Sequence, residues 1–149
     1  MVEYLREKIK KLLSKSKLIL NIMYHLRVGE ILFYFSALHW HLTHSKPREL
    51  SMEDVYRLFY LDFLDVGEEN CEIIELTENK LVTRCRNPCP ILEYAIQLGR
   101  DTREVCKYLS EGPCKYFLRK LDKRLVFKRN YDHIRPHKNS CEETIIRNT

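Results

Sequence analysis

The side chains of this 149-residue chain that are best suited to chemistry are its six cysteines. A thiolate is a strong nucleophile and a good ligand for soft metals, so cysteines that converge on one place indicate catalysis or metal binding. Five of the six follow residue 80, at Cys85, Cys89, Cys106, Cys114 and Cys141. The sixth, Cys71, falls in a β-prone segment and is interpreted as a small buried hydrophobe.

Cys89 is the strongest candidate for a nucleophile. It directly precedes Pro90, and proline is favoured at the first position of a helix, so the thiol is expected at the helix start. Free N–H groups and the positive end of the helix dipole stabilise a thiolate there. Glu93, one turn into the helix, or Glu142, beside Cys141, would then act as general acid or base. In the competing interpretation Cys89 only caps the helix and packs.

A metal site is the second interpretation of the same residues. Cys85 and Cys89 form a C-x3-C pair around Asn87-Pro88, and with Cys106 and Cys114 they would make a four-thiolate site for zinc or an iron–sulfur cluster. The spacing is a weaker signal than C-x2-C, and no second C-x2-C pair supports it. A zinc or Fe–S cofactor is therefore an alternative to a site without cofactor.

Three histidines and one basic segment offer further alternatives. His41 and His44 share a helix face, whereas His39 points elsewhere, and all three are explained by the favourable placement of histidine near a helix C-terminus. The segment 123–138 mixes basic and aromatic residues, a pattern that contacts nucleic acid through phosphates and stacking. A strand that points Leu and Phe inward and Arg and Lys outward explains it without a ligand, so nucleic acid is not the expected partner.

Composition predicts a single domain over residues 1–149, with a helical part at 1–66 and a cysteine-containing part at 67–149. Hydrophobic residues make up 44% of the chain, enough for a core. The net charge of +5 hides a strong asymmetry, because residues 51–80 carry nine acids against two basic residues while both flanking regions are basic. Such blocks indicate complementary faces or a partner surface rather than a uniformly basic protein.

The N-terminal region carries several lysines before an apolar stretch, but it shows no small-residue cleavage site. The longest segment without formal charge, 31–45, is shorter than the roughly 20 apolar residues that a membrane helix needs. We therefore expect a cytoplasmic chain without a membrane span, whose cysteines are thiols rather than a disulfide framework. Few glycines and abundant Lys, Glu and Ile resemble the composition of thermophile proteins.

The elements that would position these residues alternate in type along the chain. Apolar periodicity predicts helices over 2–16, continuing to Leu26, and over 31–42, the latter buried almost all round. Ser51 begins a helix to Asp65, and the segments 71–76 and 81–85 form a hairpin. Helices follow at 90–98, from Asp101, and to about Leu121, before strands at 125–131 and 141–147. The fold class is α+β: a helical N-terminal half on an antiparallel sheet of about four strands, with helices between strand pairs.

The C-terminal pattern resembles a known family. Its elements are C-P-I-L-E-Y-A-I-Q-L-G at residues 89–99, V-C-K, E-G-P-C, and C-E-E-T-I at residues 141–145. Over roughly 81–146 it is similar to the L-2-amino-thiazoline-4-carboxylic acid hydrolases, in particular their small archaeal members. The resemblance implies an α+β domain and hydrolytic opening of a thiazoline ring. It places Cys89, Cys106, Cys114 and Cys141 at the family's cysteine positions.

Three functions remain open from the sequence. The first is a cysteine-dependent hydrolase of a small sulfur- or nitrogen-containing compound, with Cys89, Cys114 and Cys141 as its thiols and Glu93 or Glu142 as acid or base. The second is a module that binds metal or senses redox state through its cysteines. The third is an interaction or regulatory protein that docks through the acidic stretch 53–78 or the basic segment 123–138. A small-molecule ligand and a homo-oligomer are the expected partners.

Overall fold

The computed structural model describes residues 18–149, with side chains described from residue 25 onward. The helix expected over 2–16 lies outside the described residues. Within them, the fold consists of helices α1 to α5 and a four-stranded sheet, which confirms the α+β prediction. The helices are α1 (Leu18–Thr43), α2 (Met52–Tyr56, continued as a π-helix over Arg57–Phe63), α3 (Pro90–Gln97), α4 (Thr102–Leu109) and α5 (Glu111–Leu121). The strands are β1 (Cys71–Leu76), β2 (Lys80–Cys85), β3 (Leu125–Arg129) and β4 (Cys141–Arg147).

The sheet is antiparallel, and its strand order is β1-β2-β4-β3. The last strand therefore inserts between β2 and β3, with α3, α4 and α5 in the connection between β2 and β3. Because the strands are antiparallel, β2 and β3 finish at the same end of the sheet at which β1 and β4 begin. This end of the sheet carries Cys71, Cys85 and Cys141, which stand opposite one another in neighbouring strands.

One face of the sheet is covered by helices. Leu81, Phe127 and Ile145 point from the sheet into a core that is shared with Phe59 of α2 and Phe117 of α5. Residues alternate between the two faces of a strand, so Arg84 and Glu142 point to the opposite side, which the helices of residues 18–149 leave uncovered. The covered face determines which side chains reach the pocket described below.

The long helix α1 differs from its prediction. The segment 31–42 was expected to be buried almost all round, and this expectation is wrong. Trp40 and Ala37 are buried against the core, but Ile31 is 52% exposed and Leu42 is 77% exposed. One helix face suffices for the contacts with α4 and α5, so the opposite apolar face remains uncovered within the described residues.

The turns and caps follow the local sequence closely. Ser51 and Asp54 form a reciprocal capping box at the start of α2. Asp101 caps α4 by accepting from the backbone N–H of Arg103. Gly67 follows the π-helical turn with a φ of 80°, a conformation that favours glycine. These local signals confirm the predicted starts of the two helices.

Candidate functional site

A cavity of about 470 Å³ opens at the end of the sheet where β2 and β3 finish and β4 begins. Helix α1 contributes Leu32 and Phe33 to its wall, and the π-helical turn contributes Tyr60 and Phe63. The start of α3 closes another side with Pro90. A volume between about 300 and 1,000 Å³ and a mostly apolar wall are typical of small-molecule sites.

Five of the six cysteines line this cavity: Cys85, Cys89, Cys106, Cys114 and Cys141. They come from β2, the start of α3, α4, α5 and β4. The metal hypothesis grouped Cys85, Cys89, Cys106 and Cys114, and the hydrolase hypothesis grouped Cys89, Cys114 and Cys141. The fold places the members of both groups around one cavity. Cys71 is buried behind Cys85 and does not line the cavity.

Three of the five thiols are held in their neutral form. Burial raises the pKa of Cys106 to about 12 and that of Cys114 to about 12. A hydrogen bond with Cys71, together with burial, raises the pKa of Cys85. Because the thiolate is the nucleophile and the metal ligand, these three cysteines are poorly suited to either role at neutral pH.

Cys89 is half-buried and occupies the N-cap of α3, as predicted from Cys89-Pro90. Its backbone is extended, with φ −123° and ψ 111°, and Pro90 is the first helical residue. Within residues 18–149 the structure gives the Cys89 side chain no capping hydrogen bond. The sulfur therefore stands at a helix start with the N–H groups of the first turn left for another acceptor.

Cys141 is the second partly accessible thiol, and it faces a guanidinium group. The backbone N–H of Arg135 lies 3.5 Å from Cys141 Sγ, and Arg135 Nε lies 3.3 Å from the same sulfur. Arg135 is held in place by donating to the carbonyl oxygen of Asn87 at 2.7 Å. In this arrangement Cys141 Sγ accepts hydrogen bonds from the backbone and from the guanidinium group of Arg135.

A buried ion pair forms the polar floor of the cavity. Arg129 Nε and Nη2 donate to Glu143 Oε1 at 2.8 and 2.6 Å, and both side chains are less than one-tenth exposed. Tyr60 donates to Glu143 Oε2 at 3.1 Å, and Arg129 also donates to Ser110 Oγ at 2.7 Å. Burial lowers the pKa of Arg129, but the adjacent Glu143 carboxylate more than offsets this and leaves it well above its usual value. Burial and Glu143 raise the pKa of Tyr60, so it remains a neutral donor.

The two glutamates named from the sequence do not reach the cavity. Glu93 is exposed on α3. Glu142 lies on the uncovered face of β4, where it accepts from Arg84 at 2.8 Å and from Asn130 at 2.8 Å. Among the described residues that line the cavity, Glu143 is the one carboxylate.

Sequence reasoning missed Glu143, Arg129 and Tyr60 as site residues. Glu143 is two residues after Cys141 in a strand, so alternation places both on the same face, and this signal was available. Arg129 was expected to point outward, but it shares the inward face of β3 with Leu125 and Phe127, and this expectation is wrong. Tyr60 had no sequence signal, because its place depends on the packing of α2 against the sheet.

In the described part of the chain, neither the cysteines nor the histidines form the metal site that the sequence offered as an alternative. Across residues 18–149 no group of three or more His, Cys, Asp and Glu side chains is placed to hold a metal ion. His41 Nε2 donates to the carbonyl oxygen of Phe117 at 3.0 Å, while His44 stacks on Trp40 with ring centroids 4.6 Å apart. His41 thus packs against the core, whereas His39 and His44 are exposed.

None of the helices in residues 18–149 is long and apolar enough to cross a membrane. Comparison of the chain with protein-family models, curated proteins and solved structures gives no match. The resemblance to the thiazoline-carboxylate hydrolases therefore stays a prediction. The chemistry of the site rests on its own residues.

Proposed function

We propose that this cavity is the active site of a cysteine-dependent hydrolase that acts on a small sulfur- or nitrogen-containing compound, with Cys89 as its nucleophile. The observation that carries the proposal is that the five thiols that line the cavity differ in how far they are buried. Three are buried thiols with raised pKa values, whereas Cys89 and Cys141 are partly accessible. Of these two, Cys141 Sγ is already engaged by Arg135, whereas the described residues give the Cys89 side chain at the N-cap of α3 no capping hydrogen bond.

The lining of the cavity supports a small, mainly apolar substrate. Its surface is mainly aliphatic and aromatic, with Leu32, Phe33, Phe63 and Ile91 among the lining residues. The polar groups of the lining are the Arg129–Glu143 pair, the thiols and a few further side chains, namely Ser36, Tyr60, Asn87, Ser110 and Arg135. Such a wall suits a small, mainly apolar ring with one or two polar atoms. The thiazoline carboxylate implied by the family resemblance is also a small ring, but it is more polar than this class because it carries a carboxylate and an amino group.

The reaction has two steps in this proposal. Cys89 Sγ attacks the thiazoline ring carbon that lies between sulfur and nitrogen, the ring C–S bond breaks, and the ring sulfur leaves as a thiol by taking up the proton that Cys89 gives up, so that the carbon remains bonded to Cys89 Sγ. Water then adds to the same carbon, the bond to Cys89 Sγ breaks, and the ring-opened product leaves as a substituted urea while the Cys89 thiol is restored. Glu143 takes the acid and base role that the sequence assigned to Glu93 or Glu142, because it is the carboxylate that faces the cavity.

The test is turnover of L-2-amino-thiazoline-4-carboxylate by the full chain, followed by mass spectrometry of the ring-opened product. Cys89→Ser is expected to lose activity by at least about 100-fold, and Glu143→Gln by a similar factor. Glu93→Gln is the matched control and is expected to keep wild-type activity, because its side chain is exposed outside the cavity. Circular dichroism checks that each variant is folded.

Turnover that survives Cys89→Ser would overturn the assignment of the nucleophile. Loss of activity in Glu93→Gln together with full activity in Glu143→Gln would overturn the assignment of the carboxylate. Absence of both turnover and a covalent adduct at Cys89, across amide and thiazoline substrates, would overturn the hydrolase itself.

A further inference from the structure

Three cysteines, Cys71, Cys85 and Cys141, form a row across β1, β2 and β4 at one end of the sheet. Cys71 pairs with Cys85, and Cys85 pairs in turn with Cys141. All three thiols lie at the cavity end of the strands, and Cys85 and Cys141 line the cavity itself. The row therefore connects the cavity to a thiol in the core.

The two cysteine pairs in this row are not equivalent. The backbone N–H of Arg86 donates to the carbonyl oxygen of Asn70 at 2.7 Å, one residue beyond the Cys71–Cys85 pair. This places Cys71 and Cys85 opposite each other as a non-hydrogen-bonded pair, in which side chains approach most closely. Their sulfur atoms lie 2.9 Å apart. In contrast, Cys141 Sγ is engaged by Arg135.

We infer that Cys71 and Cys85 are a site of reversible oxidation, at which a small disulfide that enters the cavity is reduced and a cross-strand disulfide forms. Non-hydrogen-bonded pairs bring the Cα atoms to about 4.5 Å, within the range that a disulfide spans. Neither strand has to move for the bond to form. The inference does not depend on the proposed hydrolysis.

The exchange takes two balanced steps. Cys85 Sγ, as a thiolate, attacks one sulfur of the small disulfide and forms a mixed disulfide, and the other half leaves as a thiolate. Cys71 Sγ then attacks Cys85 Sγ and expels the second half. The two protein thiols lose two electrons and two protons, and the small disulfide becomes two thiols. Cys85 faces the cavity and Cys71 lies behind it, so their order in the reaction follows from access.

The surroundings of Cys85 also set the rate of the thiol–disulfide exchange. The hydrogen bond with Cys71 and burial raise the pKa of Cys85, so little thiolate is present at neutral pH. Exchange is expected to be slow near pH 7 and to accelerate with rising pH. Arg129 and Glu143 also face this part of the cavity, and Tyr56 donates to the carbonyl oxygen of Cys71 at 3.2 Å.

The experiment treats the full chain with 2-hydroxyethyl disulfide, blocks remaining thiols with iodoacetamide in denaturant, and maps the cysteines by digestion without reductant. The expected result is a chain in which Cys71 is joined to Cys85, in addition to any mixed disulfide that forms on the partly accessible Cys89 and Cys141. Dithiothreitol should restore all six thiols. Cys71→Ser, Cys85→Ser and Cys141→Ser are the matched variants from one row of the sheet.

Thermal unfolding gives a second readout. The disulfide closes a loop of about 15 residues, so the oxidised form should melt about 10 °C above the reduced form of the same variant. This difference should vanish in Cys71→Ser and Cys85→Ser and persist in Cys141→Ser. A bridge between Cys85 and Cys141, a mixed disulfide that stays on Cys85, or six alkylated thiols after prolonged treatment would each overturn the inference.

Discussion

Removal of the Glu143 carboxylate is expected to destabilise the fold far more than removal of its neighbour Glu142. The two glutamates are adjacent in β4 and each pairs with an arginine, Glu143 with Arg129 and Glu142 with Arg84. They differ in the face of the sheet that they occupy. Glu143→Ala and Glu142→Ala therefore compare the loss of a buried ion pair with the loss of a partly exposed one at adjacent positions of the same strand.

The magnitude follows from the partners that each substitution leaves behind. The Arg129 and Glu143 side chains are 8% and 9% exposed, so Glu143→Ala leaves a buried guanidinium with Ser110 as its nearest remaining side-chain acceptor. Loss of one partner of a buried pair costs about 3–5 kcal/mol. The Arg84 and Glu142 side chains are 37% and 17% exposed, and water replaces the lost partner. Glu142→Ala should cost about 1 kcal/mol.

The assay is equilibrium unfolding in urea at pH 7, followed by circular dichroism, with the free energy of unfolding from each curve. The double variant Arg129→Met/Glu143→Leu is the control, because it removes the stranded charge as well as its partner. It should recover most of the stability that Glu143→Ala loses. Equal losses in Glu143→Ala and Glu142→Ala, or no recovery in the double variant, would refute the buried pair as described.

Two further effects on stability follow from the helices. Burial, with Lys46 adding to it, lowers the pKa of His41 from 6.5 to about 4. The folded state therefore requires the neutral imidazole, so its contribution is complete above pH 6.5 and is lost as the pH falls toward 4. After allowance for solvent screening, this loss is on the order of 1–2 kcal/mol in urea unfolding. A His41→Gln variant with the same decline would contradict it. At the start of α2, Ser51→Ala should cost about 1 kcal/mol, and Ser51→Asn, which also caps, should cost much less. Equal effects of the two substitutions would show that the cap does not matter.

The sequence determined most of the local structure because the relevant signals are local. Ser51, Cys89-Pro90 and Asp101 each mark a helix start, and the structure confirms all three. The hairpin of β1 and β2 and the strand β4 appear at or within one residue of their predicted bounds. Hydrogen bonds between near neighbours and the fixed φ of proline suffice for these features.

The site was only partly predictable, because it depends on contacts between distant residues. The cysteines were identified by type, but the order β1-β2-β4-β3 and the covered face of the sheet were not. Unless it is known which face of the sheet the helices cover, the sequence does not distinguish Glu142 from Glu143 as a site residue. For the same reason, Arg129 resembles an ordinary exposed basic residue. The uncovered side of α1 has the same origin, since an apolar segment alone does not reveal how many of its faces find a partner.

The measurement that tests the account most directly is the rate of alkylation of each cysteine by iodoacetamide in the native, reduced chain between pH 6 and pH 9, resolved by mass spectrometry. We expect Cys89 and Cys141 to react first, at least about tenfold faster than the buried Cys85, Cys106 and Cys114. Uniform slow alkylation of all five, or fastest reaction at Cys106 or Cys114, would contradict a nucleophile at the start of α3.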